Sequence, residues 1–277
     1  IGALEHGDVI AEQLQGHGLP SPRREWRLTS YHVHTRWSDG SATIQEVINA
    51  AEAVGLEEVG ISDHYVMYPD LRRVDWSMPT ERLEEYAAEV REAGQRARVT
   101  VRLGLEVDYL PDTIERTLEA LGRVDFDYII GSVHFVDDFA LDSTRDYWDA
   151  LTQDQVDEMW KAYYRRLGAM AATRGFDIVG HFDLPKKFGV APQADLTAEV
   201  LEALDAVAES GMVMEINTSG WHRPVREAYP APWIVAEARK RKVPIVITAD
   251  AHDPKNLVRD FDRAADLARH AGYTSAV

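Results

Sequence analysis

The chain contains no cysteine. Disulfides and thiolate-bound zinc are therefore excluded, and any metal ion must be held by nitrogen and oxygen. Positive charge is also scarce: 30 Lys and Arg face 47 Asp and Glu, a formal net charge of −17. A field of that sign argues against general binding to nucleic acid or to an anionic membrane, both of which need a cationic surface. It leaves an anionic substrate open, because a metal cluster brings its own local positive charge. No apolar run approaches the roughly 18 residues of a membrane span. Residues 1–26 lack the basic-then-apolar layout of a secretion signal. Together with the missing cysteines, this makes the cytoplasm the expected location.

What is present is an ordinary hydrophobic fraction, 45% of 277 residues, ample for a sizeable core. The length is large for one domain but within the range of α/β barrels. The expected division is an N-terminal extension over 1–26 and a single catalytic domain over 27–277. The extension combines a helix-like patch at 8–14 with a Gly-, Pro- and Arg-containing stretch at 16–24. Its His6 and His17 are read as exposed residues without a task.

From residue 28 onward, β-type runs alternate with helix-type runs. The expected strands are 28–32, 58–62, 100–106, 128–133, 178–181, 213–217 and 243–248. Thr43-Ile44-Gln45-Glu46 and Thr152-Gln153-Asp154-Gln155 match the capping box that opens a helix. Asp253-Pro254 sets a capping carboxylate before a proline at the first helical position. Further helices are expected over 80–98, 113–121, 195–210 and 232–241, with Gly175 and Gly211 at left-handed positions after helices. Residues 136–148 read as a long loop on the substrate rim. Repeated strand-then-helix units imply a parallel sheet, either closed or open.

The histidines favour closure. His32, His34, His64, His134, His181 and His252 sit where an apolar run gives way to a loop, and His222 follows a strand-like run. They come with carboxylates, in Asp63-His64, Glu106-Val107-Asp108, His181-Phe182-Asp183 and Asp250-Ala251-His252. Neutral imidazole and carboxylate are the ligands that divalent metals take. Only a barrel brings every strand's carboxyl end to one centre. The fold class is therefore expected to be α/β, an irregular seven-stranded (β/α) barrel.

Taken singly, each cluster has a plainer reading. His32 and His34 point the same way from a strand, as ligands or as an accidental pair on an edge. Asp63-His64 would also serve as a helix cap followed by a surface histidine. Glu106 closes an apolar run, where an unpaired carboxylate is costly; its partner is a metal ion or Arg102. Independent accidents would not all choose the same end of successive strands, so the joint reading is a metal-dependent hydrolase.

The segments Tyr31-His32-Val33-His34-Thr35, Ser38-Asp39-Gly40, Ile61-Ser62-Asp63-His64, Gly104-Leu105-Glu106-Val107-Asp108, Ile130-Gly131-Ser132-Val133-His134-Phe135 and Thr248-Ala249-Asp250-Ala251-His252 resemble the metal motifs of the PHP (polymerase and histidinol phosphatase) family. Gly180-His181-Phe182-Asp183-Leu184-Pro185-Lys186-Lys187-Phe188-Gly189 and Glu215-Ile216-Asn217-Thr218-Ser219-Gly220-Trp221-His222-Arg223-Pro224 resemble its stand-alone histidinol-phosphate phosphatases. The likeness covers about 29–267. It implies a distorted seven-stranded barrel with a trinuclear centre: one ion on His32, His34, Glu106 and Asp250; a second on Glu106, His134 and His181; a third on Asp39, His64 and His252. Two or three divalent ions are expected, with zinc, iron and manganese as candidates. Gly40 stands where several family members have histidine, and Trp221-His222-Arg223 departs from the branch's usual Leu-Arg-Lys.

The implied activity is hydrolysis of L-histidinol phosphate, a small phosphate ester, in histidine biosynthesis. Two metals about 3.5–4 Å apart would hold a bridging hydroxide, and a third would bind phosphate oxygens. Lys186, Lys187, Arg223 and His222 are the candidate phosphate contacts, the lysines alternatively forming a solvated basic face. Asp183 would orient His181 or protonate the leaving alkoxide. Trp37, Trp221, Tyr229 and Trp233 line the pocket or simply pack. Other family phosphoesterases, acting on nucleotides, sugar phosphates or phosphotyrosine, form the nearest alternative; an exonuclease is a more remote one. Oligomeric state is not readable from the chain.

Overall fold

In a computed structural model, which describes residues 26–277, seven parallel strands form the barrel. They are β1 Thr29–Ser30, β2 Glu58–Ile61, β3 Thr100–Asp108, β4 Tyr128–Ser132, β5 Ile178–Val179, β6 Val213–Asn217 and β7 Ile245–Thr248. They neighbour one another in that order. The ring is joined beyond the regular strands, where Val33 bridges Ala251 in parallel. His34 N–H donates to Ala251 O at 2.9 Å and Ala251 N–H to His32 O at 3.0 Å. The expected extension lies outside the described residues except for Trp26, which packs against the core. No helix among the described residues is long and apolar enough to cross a membrane.

Five strands are shorter than the sequence suggests, and β1 and β5 are so for a shared reason. Val33 N–H is taken by the Ser62 hydroxyl at 3.0 Å, and His181 N–H by the Glu215 carboxylate at 2.7 Å. Side-chain acceptors replace ladder carbonyls where the ligand-bearing residues leave each strand. By contrast, β3 runs past residue 106 to Asp108.

Helices surround the barrel, the first being α1 Ile44–Val54, closed at its start by the Thr43–Glu46 capping box. After the turn Thr80–Arg82 come α2 Leu83–Gln95 and α3 Ile114–Leu121. Next are α4 Arg145–Asp149 and α5 Gln153–Ala172, the latter with the Thr152–Gln155 box. The remaining three are α6 Thr197–Ser210, α7 Pro232–Lys240 and α8 Phe261–His270. The rim segment 136–148 is more ordered than a loop, contributing a hairpin, Phe135–Val136 with Phe139–Ala140, and then α4. Asp253-Pro254 opens only one tight turn, Pro254–Asn256, and the helix starts later. Gly211 is left-handed at φ 82, but Gly175 is not; Arg174 takes that role at φ 54. Gly175 answers to space instead, because a Cβ there would lie 2.4 Å from Leu118 Cδ2.

Side chains facing into the barrel make a small core of Tyr31, Tyr128, Ile130, Ile178, Val213 and Val246. The Tyr128 phenol occupies the space left by Gly60 and Gly104; a Cβ at Gly104 would come within 2.1 Å of Tyr128 Cζ. Below this layer Glu58 accepts from Arg102 Nε at 2.7 Å, from Arg27 Nη2 at 2.7 Å and from Tyr31 Oη at 3.0 Å. Arg102 thus belongs to the floor of the barrel and is not the partner of Glu106. The larger apolar core lies between the sheet and the helices.

Candidate metal centre

The strands deliver their histidines and carboxylates to the carboxyl end of the barrel, around Glu106. Glu106 projects inward from β3 and is 1% exposed. Its Oε2 lies 3.1 Å from His32 Nε2, 3.5 Å from His34 Nε2 and 2.8 Å from His64 Nδ1. Its Oε1 lies 3.0 Å from His181 Nε2 and 3.7 Å from His134 Nε2. Asp250 Oδ1 is 3.2 Å from His34 Nε2 and 3.7 Å from His32 Nε2. Asp39 meets His252 Nε2 at 3.1 Å and His64 Nε2 at 3.7 Å. All nine expected metal residues are therefore brought together. Three groups offer ligand atoms within 4.8 Å of one another: His32, His34 and Glu106; His64, Glu106 and His134; and His34, Asp39, His64 and His252. His64 also pairs in register beside Glu106, so it belongs to the centre and not to the surface.

The donor set fits cations. His32 Nε2, both ring nitrogens of His34, His64 Nδ1, His181 Nδ1 and Glu106 Oε2 are buried without a hydrogen-bond partner. Orphaned polar atoms in an interior are costly and rare. Several converging on one carboxylate are what divalent ions would satisfy. Nitrogen and oxygen donors suit zinc, iron, manganese and cobalt.

The electrostatics divide by neighbour. Burial, with repulsion from His252 and His64, lowers His34 to about 3 and keeps it neutral. Burial also disfavours charge on His134, but the Asp108 carboxylate 2.8 Å from Nδ1 outweighs it and raises the imidazole to about 10. Burial opposes ionisation of Glu106, yet His64 and His32 hold its carboxyl well below the usual range. Asp250 has a left-handed backbone at φ 48, an unfavourable conformation of the kind that collects at functional sites.

Three carboxylates outside the expected ligand set shape the centre. Glu215 accepts from His181 N–H and from the Thr248 hydroxyl, and its Oε1 lies 2.5 Å from His32 Nδ1. Asp108 orients His134 through the ring and the backbone N–H. Asp63 is fully buried and accepts from Thr35 N and Oγ1 and from Ser38 N and Oγ, holding the turn that presents Asp39. In that turn a Cβ on Gly40 would lie 2.3 Å from His34 O. The chain accordingly completes this group with His64 and His252.

The expected substrate residues are placed differently. Lys186 Nζ bonds Glu227 at 2.6 Å, Asp183 at 2.8 Å and Ala228 O at 2.7 Å. Lys187 Nζ bonds Asp142 through Oδ2 at 3.0 Å and O at 2.8 Å. Neither lysine is a solvated surface charge, and neither stands as a free cation. Asp183 makes no bond to His181; its Oδ2 takes Lys186 and Ala231 N–H, and its Oδ1 is buried without a partner. His222 is at the surface, 2.5 Å from Asp260 Oδ2. Arg223 keeps its guanidinium free of hydrogen bonds and ion pairs among the described residues.

Of the aromatics, buried Tyr229 meets His181 edge-on, with ring centroids 6.4 Å apart. Trp37 bonds Glu89, Trp221 packs under Arg263, and Trp233 is exposed. Trp76, which carries no periodic signal in the sequence, forms a wall of the centre. Its ring lies 4.7 Å from His64 and 5.3 Å from His134, and it stacks on Phe135.

With this geometry in place, likeness to known proteins becomes informative. The family description "PHP domain" matches residues 30–219. The "Probable histidinol-phosphatase" of Deinococcus radiodurans is 37% identical over 248 residues, covering 88% of this chain and 94% of that protein. The Bacillus subtilis "Histidinol-phosphatase" is 27% identical over 247 residues, covering 80% and 92%. The crystal structure of histidinol phosphate phosphatase from Lactococcus lactis, complexed with zinc, L-histidinol and phosphate, superposes with a TM-score of 0.75 at 20% identity, covering 91% of this chain and 96% of that one. At that identity the likeness is one of fold. The matched family region runs from within β1 to β6 and holds seven of the nine clustered candidate ligands, and this chain belongs to the PHP domain family.

Proposed function

We propose that this chain is a metal-dependent phosphoric monoester hydrolase, and that residues 27–277 act as one unit converting L-histidinol phosphate and water to L-histidinol and phosphate. One observation carries the reading: buried, unpartnered imidazole and carboxylate atoms converge on Glu106 at the mouth of the barrel. The named substrate draws support from the relatives called histidinol-phosphatases and from the L-histidinol and phosphate held by the Lactococcus lactis protein.

His32, His34, Glu106 and Asp250 would hold one ion, Glu106, His134 and His181 a second, and Asp39, His64 and His252 a third. Divalent ions there would supply a water acidic enough to attack at neutral pH and positive charge opposite the phosphate. The protein does the positioning. Glu215 and Asp108 fix the orientation of His32 and His134, a task that carboxylates commonly perform for metal-binding imidazoles. Burial raises the Asp183 carboxyl, with Lys186 opposing. A raised carboxyl beside the site is shifted in the direction that suits a group protonating the departing alcohol. Arg223, exposed and without an ion-pair partner among the described residues, offers a positive group for the ester's phosphate.

The test is phosphate release from L-histidinol phosphate by purified protein, with manganese or zinc added and again after chelation. A nucleoside monophosphate and an aryl phosphate serve as comparisons. Chelator-sensitive preference for histidinol phosphate is expected. Chelator-sensitive hydrolysis of the comparison esters alone would overturn the substrate while keeping the reaction class.

A further inference from the structure

Outside the ligand cluster the rim is rich in carboxylates, and its two lysines are committed to them: Lys186 to Asp183 and Glu227, Lys187 to Asp142. A phosphate ester carries up to two negative charges and needs donors that are not already spent. Arg223 and Arg259 are among the described residues that meet that condition, and they are the two that face one another and, for Arg259, Asp250. Neither guanidinium has a hydrogen-bond or ion-pair partner, and Arg259 Nε is buried.

Arg259 is tied to the site through its backbone. Its carbonyl accepts the Thr218 hydroxyl at 2.8 Å. The next residue, Ser219, donates its own hydroxyl to Asp250 Oδ2 at 3.3 Å. The neighbouring carboxylate Asp260 is taken up by His222. Burial makes charge on Arg259 less favourable, and so does Arg223, while Asp260 and Asp250 favour it. Two arginines whose charges oppose one another, beside a cluster of anionic ligands, are an arrangement that a bound dianion relieves.

We infer that Arg259 and Arg223 together form an anion clamp beside Asp250 that binds the non-bridging oxygens of the substrate phosphate. Arginine suits the task because its planar fork donates two parallel hydrogen bonds to a tetrahedral oxyanion. The inference rests on the phosphatase reading and deepens it by adding Arg259, a residue without a histidine or carboxylate motif to mark it.

The experiment uses the full, metal-loaded chain and its Arg259→Ala, Arg259→Lys and Arg223→Ala variants, with metal content checked in each. Inhibition by orthophosphate and by L-histidinol is measured separately, together with KM and kcat. Loss of a charged hydrogen-bonding partner should raise the KM and the orthophosphate inhibition constant about 10–100-fold. Inhibition by L-histidinol, which has no phosphate, should stay unchanged. Arg259→Lys should recover part of the loss, since it restores charge without the fork. Unchanged orthophosphate inhibition in folded, metal-loaded Arg259→Ala would overturn the clamp, as would equal weakening for both inhibitors. If the wild type ignores histidinol phosphate yet loses orthophosphate affinity on Arg259→Ala, the clamp stands and the substrate assignment falls.

Discussion

His32 Nδ1 lies 2.5 Å from Glu215 Oε1, and both side chains are fully buried. The contact assigns the ring's proton to the Glu215 side and leaves Nε2 facing Glu106 and Asp250. A single carboxylate thereby sets the candidate ligand His32 just after β1, the start of the loop after β5 through His181 N–H, and the end of β7 through Thr248.

Glu215→Gln should weaken metal binding about 10–100-fold, the usual cost of disturbing a group that orients a metal-binding histidine. The fold should survive, because the amide oxygen can still accept one of the bonds. Metal titration followed by circular dichroism checks both parts; wild-type affinity would show that His32 needs no such partner.

Glu106→Gln removes the anion on which six of the observed contacts converge. At least one bound metal should be lost. Metal-dependent stabilisation of a transition state is worth several kcal/mol, so kcat/KM should fall at least about 100-fold. Elemental analysis and steady-state kinetics on the same preparation test this, and near-normal turnover would sink the shared-ligand assignment.

Stripping the metals should lower thermal stability as well as activity. A ligand present at 100 times its dissociation constant stabilises by about 2.7 kcal/mol, which for a chain of this size corresponds to roughly 5–10 °C. Calorimetry with and without chelator, then with metal restored, would show the drop and its reversal. An unchanged melting temperature would argue that the cluster is empty under the assay conditions.

Far from the centre, Asp177 accepts Ile129 N–H at 2.8 Å, and burial holds its carboxyl up at about 7. Its unfolded value is about 3.9, so the folded state binds the proton more tightly. The stabilising contribution is fully present below about pH 4 and is lost as pH rises to about 7. Asp177→Asn keeps an acceptor and removes the charge. The variant should melt higher than wild type at pH 8, with a shallower decline between pH 5 and 7; an equal or lower melting temperature at pH 8 would refute the account.

Most of the clustered candidate positions are legible because each ends an apolar run with a histidine or carboxylate, whereas Asp39, in a polar turn, is marked only by the family resemblance. Glu106 is the clearest example, and the structure resolves its alternative by committing Arg102 to Glu58. Glu215 gave less away. It stands inside β6 among apolar residues, and its partner His32 is remote in sequence. Pairings of the two lysines were equally hidden, since Asp142, Asp183 and Glu227 come from three different segments. Strand lengths failed where side chains replaced ladder carbonyls, at Val33 and His181. Capping boxes, which are local, were read correctly at Thr43 and Thr152.

The seam between Val33 and Ala251 joins residues from near the two ends of the described chain. During synthesis, His32 and His34 leave the ribosome long before Asp250 and His252, and contacts of such wide separation form late. The nine clustered residues can therefore come together only after Asp250 and His252 have been made. A polypeptide that stops before Asp250 would carry most of the barrel strands yet lack the two residues that close the cluster from the far side of the seam.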